Sequence, residues 1–280
     1  MVSDEDVCYR HPGTAAAVAC QRCSRPICSR CMITAPVGSH CPECTKKQGQ
    51  RVYRPRDLQG NGLLVKGLMA LSVIVFVGQM ATGDGRATGG EVFRQGVLFG
   101  PWVAEGEFWR VISSGFLHLD PIHLAFNMYA LYLFGPAIER SIGWATTLFI
   151  YLGGLLGGSA AVLMFNFATP SAGASGAVLG LAGGLLVLYK ANGISLRQSS
   201  LGPVLAINLA LPLLGTNISF WGHAGGIAGG AVLASILGRP SIRRDRVAAR
   251  NARYLAAATL VGLAVVCVVV SRAGGVAQVL

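Results

Sequence analysis

Seven apolar runs restrict the fold of this chain most, because each is long enough, or nearly so, to cross a lipid bilayer. A membrane-spanning helix needs about 20 apolar residues, with a range of roughly 17–25. The runs cover residues 63–83, 116–138, 144–166, 175–191, 200–215, 221–238 and 255–271. Only 12% of the 280 residues are charged, whereas soluble domains average about 25%. The sequence therefore predicts an all-α polytopic membrane protein.

The basic residues are distributed unevenly between the segments that connect these runs. With the N-terminus in the cytoplasm, the outer segments hold only four arginines, Arg86, Arg94, Arg110 and Arg272. The inner segments hold most of the other basic residues, including a cluster between 239 and 253. Positive residues gather on the cytoplasmic side of membrane proteins. The distribution predicts a cytoplasmic N-terminus and an extracellular C-terminus, in a bacterial-type plasma membrane. It also explains the net charge of +11 without nucleic acid as a partner.

The first 45 residues contain four pairs of candidate metal ligands. They read Cys8-x2-His11, Cys20-x2-Cys23, Cys28-x2-Cys31 and His40-Cys41-x2-Cys44. This density of paired ligands is typical of zinc modules. A disulfide framework is the alternative, but the orientation places these thiols in the reducing cytosol. The sequence predicts two structural zinc ions, which would stabilise a module too short to fold on its own core.

The spacing of these pairs resembles that of cross-braced B-box and RING-like fingers. In such fingers the first and third pairs share one metal, and the second and fourth pairs share the other. The resemblance implies two ligand sets: Cys8, His11, Cys28 and Cys31, and Cys20, Cys23, Cys41 and Cys44. His40 remains an alternative to Cys41.

Residues 46–61 are expected to form a basic linker, which is either a solvated tether or a contact for anionic lipids. A cytosolic protein partner is expected for the zinc module.

Two stripes of glycine suggest which membrane helices approach each other. Ser175 lies among small residues and is followed by Gly176, Gly180 and Gly184 at intervals of four. Gly222, Gly226 and Gly230 repeat the spacing, and His223 adjoins the first of them. Small residues at this interval allow two membrane helices to pack backbone to backbone. The pattern predicts that Ser175 and His223 come into contact, although glycine stripes also serve packing alone.

The polar residues near these stripes indicate a serine nucleophile with a histidine base. Serine needs an adjacent base to become nucleophilic. Most serine hydrolases add a carboxylate, but no Asp or Glu occurs between Glu139 and Asp245, so the sequence predicts a Ser–His dyad. His123 and Asn127 are one helical turn apart and share a face. Together with the Ser175 amide they are candidate donors to an oxyanion. All four side chains fall at the predicted outer ends of their helices.

Four motifs resemble those of the rhomboid family of intramembrane serine proteases. They are Trp109-Arg110, His118 with His123-x3-Asn127, Gly173-Ala-Ser175-Gly176, and His223-x2-Gly226-x3-Gly230. The resemblance covers about residues 60–240. It implies a six-helix bundle over 62–240, with the seventh helix following an Arg-rich inner loop in 241–280. It also implies cleavage of single-pass membrane proteins near the outer face, without a cofactor for catalysis.

The same resemblance assigns roles to the four polar residues. Ser175 is the nucleophile, His223 is the general base, and His123, Asn127 and the Ser175 amide form the oxyanion hole. Leu179 departs from the family pattern, which often has an aromatic residue stacked on the histidine. Two other functions compete with this interpretation: a transporter or channel, and a catalytically silent membrane adaptor whose zinc fingers recruit cytosolic partners. The spans carry no carboxylate between 140 and 244, which argues against a transport pathway.

Overall fold

The computed structural model describes residues 7–34, 38–47, 62–194, 201–214, 218–243 and 246–277. Contacts between Cα atoms divide the chain into two units, Met1–Gln59 and Gly60–Leu280. The predicted basic linker, 46–61, lies almost entirely outside the described residues. Each unit is described below by itself.

The N-terminal unit is built from two short hairpins and one helix. Strands β1 (Val18–Ala19) and β2 (Pro26–Ile27) pair antiparallel, and so do β3 (Ile33–Thr34) and β4 (Ser39–His40). Helix α1 (Pro42–Lys47) follows directly. The buried core of this unit consists of cysteines together with Ile27, so the described part has almost no aliphatic core to hold the hairpins together.

The regular secondary structure of the second unit is helical over its described residues, apart from one isolated β-bridge between Leu98 and Ser171. Its helices are α2 (Leu63–Thr82), α3 (Glu91–Gly96), α4 (Gly100–Ala104), α5 (Arg110–Ser113), α6 (Pro121–Ile142), α7 (Trp144–Phe165), α8 (Ser175–Ala191), α9 (Leu201–Ala210), α10 (Phe220–Arg243) and α11 (Arg246–Ala277). Short 3-10 helices cover Ser114–Phe116 and Leu211–Leu214. Each of the seven apolar runs carries one of these helices.

Four of the described helices are long and apolar enough to cross a membrane. They lie at Leu63–Thr82, Trp144–Phe165, Phe220–Gly238 and Val247–Gly274. The predicted polytopic helical membrane protein is therefore confirmed. The segment 239–253, which we expected as an inner loop, is instead helical apart from the undescribed residues 244–245. Arginine and alanine are both strong helix formers, so the basic segment extends the two flanking helices.

Glycine packs α10 against two neighbouring helices without intervening side chains. A Cβ atom built on Gly230 would lie 2.0 Å from the Gly180 carbonyl oxygen of α8, and one on Gly226 would lie 2.3 Å from that of Gly176. On the adjoining face, a Cβ on Gly229 would lie 2.1 Å from the Gly153 oxygen of α7. The predicted contact between the two glycine stripes is confirmed. Helix α10 packs closely against α8 on one face and against α7 on the other.

Replacing Gly230 with alanine is expected to destabilise the bundle by about 1–3 kcal/mol, because the added methyl group forces α8 and α10 apart. The free energy of unfolding in mixed micelles measures the loss. Gly262→Ala on α11 is the matched control, since a Cβ there meets nothing within 4 Å. Equal stability of the two variants would show that the stripes are not in close contact.

Arg110 ties together the segment between α2 and α6. Its guanidinium donates to the carbonyl oxygens of Arg94 (2.7 Å) and Val97 (3.0 Å), pairs with Glu107, and lies 4.4 Å from the centre of the Trp102 ring. The sequence Phe108-Trp109-Arg110 by itself suggests an amphipathic piece at the membrane interface, where tryptophan is favoured. The side chain of Trp109 is 55% exposed, but Arg110 is only 4% exposed. The buried Arg110 side chain therefore holds the segment between α2 and α6 in place.

Two polar contacts attach α2 to its neighbours. One joins α2 to α6, and the other joins α2 to the segment just before α6. The Glu139 carboxylate accepts from the backbone N–H groups of Leu64 and Val65, each at 3.3 Å, and so caps the start of α2. At the other end, the Gln79 side chain exchanges two hydrogen bonds with the backbone of His118, at 2.9 and 3.0 Å. These contacts fix the chain just before His123.

Candidate active site

A cavity of about 670 Å³ lies among the first turns of α6, α8 and α10. Ser175, His123 and His223 all line it. They come from three different helices, so the long-range packing of the bundle brings them together. Asp120 is the only acidic residue on the described lining. Its carboxylate accepts from the His123 backbone N–H at 2.8 Å and caps α6.

Ser175 is the first residue of α8, and the backbone before it has a conformation that requires glycine. Gly173 has a φ angle of +143°, and its N–H donates to the Ser114 carbonyl oxygen at 3.0 Å. A Cβ atom there would lie 2.8 Å from the His123 ring and 3.7 Å from the Ser175 hydroxyl oxygen. Glycine therefore leaves the space between these two side chains open.

The His223 ring is buried, with one nitrogen bonded and the other free. Nδ1 lies 2.7 Å from the carbonyl oxygen of Asn208 on α9. Because a carbonyl oxygen only accepts hydrogen bonds, Nδ1 carries the proton and Nε2 keeps a lone pair. Nε2 is buried and has no hydrogen-bond partner within the described chain. The imidazole therefore has a free basic nitrogen.

Within the part of the chain that the structure describes, the His223 ring has no carboxylate partner, and its Nδ1 bonds a backbone carbonyl instead. Asn208 was not among the residues that the sequence indicated. A backbone atom of a separate helix leaves no signal in side-chain spacing, so this contact could not be recognised from the pattern of polar residues.

Ser175 and His223 share the cavity wall, but the described structure has no hydrogen bond between the Ser175 hydroxyl and the His223 ring. Catalytic hydrogen bonds are often long or poorly aligned without substrate. The structure therefore brings the two groups to one site and leaves their direct contact as a prediction.

His123 presents a ring to the cavity, whereas Asn127 does not reach the lining. The Leu119 N–H lies 3.5 Å from His123 Nδ1, which favours Nε2 as the nitrogen that carries the proton and donates. Asn127 is 5% exposed, and its side-chain amide donates to the His123 carbonyl oxygen at 2.9 Å. Asparagine commonly bonds the backbone one turn earlier in a helix. Its role as an oxyanion donor remains a prediction.

The N-terminal unit contains two separate clusters of candidate metal ligands. One is Cys8, His11, Cys28 and Cys31, and the other is Cys20, Cys23, Cys41 and Cys44. Within each cluster the ligand atoms lie within 4.8 Å of one another. The structure thus groups the four pairs in the cross-braced order, and Cys41 rather than His40 belongs to the second cluster.

The spacing of these atoms fits a tetrahedral metal. His11 Nδ1 lies 3.7 Å from Cys8 Sγ, 3.5 Å from Cys28 Sγ and 3.3 Å from Cys31 Sγ. Cys23 and Cys41 place their sulfur atoms 3.7 Å apart. Ligands at zinc–sulfur bond length on a tetrahedron are about 3.8 Å apart. Both clusters are therefore compact enough to bind a metal ion.

The thiols within each cluster differ in pKa. Burial acts to raise the pKa of Cys8 and of Cys20, but backbone hydrogen bonds outweigh burial and lower each to about 6. Burial, with the neighbouring thiols, raises the pKa of Cys31 to about 11 and that of Cys44 to about 12. The thiolates that form first in each cluster thus oppose ionisation of the remaining thiols. A divalent cation removes that opposition, because metal-bound cysteine is a thiolate.

The chain is similar to several known proteins. The Rhomboid domain model matches residues 105–240. "Rhomboid protease GluP" of Bacillus subtilis (strain 168) is 39% identical over 166 residues, which are 58% of this chain and 32% of that protein. "Putative rhomboid protease YdcA" of the same organism is 34% identical over 51% of this chain and 73% of its own length. "RHOMBOID-like protein 6, mitochondrial" of Arabidopsis thaliana is 37% identical over 48% of this chain and 45% of its length.

Proposed function

This chain belongs to the rhomboid family, and on that premise we propose that it is an intramembrane serine protease that cleaves single-pass transmembrane proteins near the outer membrane face. One observation carries the proposal. Ser175 and His223 line the same cavity, and His223 keeps an unpartnered Nε2 while its Nδ1 is bonded to the Asn208 carbonyl. A serine beside a histidine in this tautomer is the minimal arrangement for acyl transfer.

In the proposed reaction, the Ser175 oxygen bonds to the scissile carbonyl carbon while its proton passes to His223 Nε2. The carbon–nitrogen bond then breaks, and His223 returns the proton to the leaving amine. A water molecule next gives a proton to Nε2 and bonds to the acyl carbon. The serine oxygen leaves with the proton from His223, which restores both residues.

Negative charge develops on the former carbonyl oxygen each time the carbonyl carbon is attacked. Hydrogen-bond donors must point at that oxygen to stabilise it. The Ser175 N–H is available because the first N–H groups of a helix have no partner within it. His123 Nε2 is the second proposed donor. Asn127 is the third, and it would have to exchange its bond to the His123 carbonyl for one to the substrate. The developing charge supplies the driving force for that exchange, since hydrogen bonds to ions are stronger.

The proposed orientation places the zinc module in the cytoplasm and the C-terminus outside, in a bacterial-type plasma membrane. The distribution of arginine and lysine supports it. Ser175 opens α8 and His223 lies in the first turn of α10, so in this orientation both would lie at the outer ends of their helices. The N-terminal module would hold two structural zinc ions through the eight clustered ligands, and would remain accessible to a cytosolic protein partner.

Cleavage of a reporter membrane protein in liposomes tests the proposal. We expect wild-type protein to cut the reporter and Ser175→Ala to leave it intact. Ser235→Ala is the matched control, since Ser235 is exposed on α10 and its hydroxyl donates to the Ala231 carbonyl of its own helix. Equal cleavage by wild type and Ser175→Ala would reject this nucleophile. Absence of cleavage by all three would favour the silent adaptor.

A further inference from the structure

The carbonyl group that holds His223 has lost its normal partner within its own helix. In an α-helix, the carbonyl of residue i accepts from the N–H of residue i+4. Four residues after Asn208 stands Pro212, which has no N–H. The Asn208 carbonyl is therefore without its α-helical hydrogen bond.

The local geometry of α9 agrees with an interruption at this point. The α-helix ends at Ala210, and residues Leu211–Leu214 continue as a 3-10 helix. A proline ring also clashes with the carbonyl four residues earlier and pushes it away from the helix axis. The Asn208 oxygen accepts from His223 Nδ1 on α10 at 2.7 Å, so this carbonyl is directed at the proposed base.

We propose that Pro212 is a positioning residue, which keeps the Asn208 carbonyl open so that it can orient His223 in place of a carboxylate. This inference rests on the proposed protease function. Pro212 touches neither substrate nor the reacting atoms and acts only through the Asn208 carbonyl. The base is thereby fixed in the tautomer with its lone pair on Nε2.

The Asn208 carbonyl and the His223 Nδ1–H each supply the partner that the other needs. A carbonyl shielded from water is unfavourable without a hydrogen bond, and so is an imidazole N–H. A carboxylate in the same place would have to be removed from water inside the membrane, which is unfavourable. The only acidic residue on the described cavity lining, Asp120, already caps α6 through the His123 N–H. A neutral backbone carbonyl is therefore a more favourable acceptor for His223 Nδ1 at this site than a carboxylate would be.

The tautomer of His223 tests the inference directly. We expect nitrogen NMR of histidine-labelled protein at alkaline pH to show Nδ1 protonated and Nε2 unprotonated for His223. The signal is assigned by its loss in His223→Gln. A proton on Nε2 in the wild type would overturn the proposal. This measurement needs no substrate, so its outcome is independent of whether the protein is a protease.

Pro212→Ala tests the part played by the proline. The new N–H competes for the Asn208 carbonyl, and we expect kcat to fall about three- to tenfold with KM nearly unchanged, the effect of weakening one neutral hydrogen bond. The His223 signal should then show both tautomers. Pro203→Ala is the control, because Pro203 lies in the first turn of α9, where a missing N–H matters little. Unchanged kcat and tautomer in Pro212→Ala would overturn the inference, while inactivity of Ser175→Ala would leave the protease function standing.

Discussion

The double variant Ser175→Ala/His223→Ala is expected to be no less active than either single variant. Each single change should lower kcat/KM by on the order of a thousandfold or more, because a serine without its base is a weak nucleophile and a base without its serine has no proton to take. Groups that act as one unit lose their joint contribution when either is removed. The residual rate comes from the oxyanion donors and from substrate binding.

Steady-state cleavage of one reporter measures this non-additivity when wild type, the two single variants and the double variant are compared. Ser235→Ala should keep wild-type kcat/KM and reports on any general effect of removing a hydroxyl from the bundle. Losses that multiply in the double variant would mean that Ser175 and His223 act independently. In that case the shared cavity would be a structural coincidence.

Removal of metal is expected to unfold the N-terminal module and leave the membrane unit intact. Structural zinc supplies about 10–16 kcal/mol in isolated finger peptides, and the module's core is formed by the cluster cysteines with Ile27. Trypsin added to the full chain in detergent should cut within residues 8–44 only after chelation. Fragments from α2 to α11 should be the same in both conditions.

Metal content per chain sharpens this prediction. We expect two zinc ions in the wild type and one in Cys8→Ser, because each ion has its own set of four ligands. Cys267→Ser is the matched control and should keep both, since Cys267 is buried in α11 and its thiol contacts the Leu156 carbonyl at 3.8 Å. One ion in the wild type, or the loss of both from Cys8→Ser, would contradict two separate clusters.

Features set by short spacing were predictable from the sequence. The Cys-x2-Cys pairs determine which ligands can share a metal, and the resemblance to cross-braced fingers implied the pairing that the structure shows. Glycine every fourth residue defines a bare helix face, and the stripes containing Gly180 and Gly230 do meet. In both cases the distance along the chain fixes the geometry.

Features that depend on backbone atoms or on distant partners were not predictable. Arg110 resembled an interfacial residue, but its partners include carbonyl groups 13 and 16 positions earlier. Asn127 shares a helical face with His123, yet its amide bonds the backbone of its own helix. The acceptor for His223 is the main chain of Asn208. A pattern of side chains specifies none of these contacts, because folding of the whole bundle determines them.

Labelling by a fluorophosphonate, followed by peptide mapping, tests most directly whether Ser175 is an activated nucleophile. The account predicts one adduct, on Ser175, which persists in Ser235→Ala and is lost in Ser175→Ala. An adduct on a different serine, or equal labelling of Ser175→Ala and wild type, would contradict it.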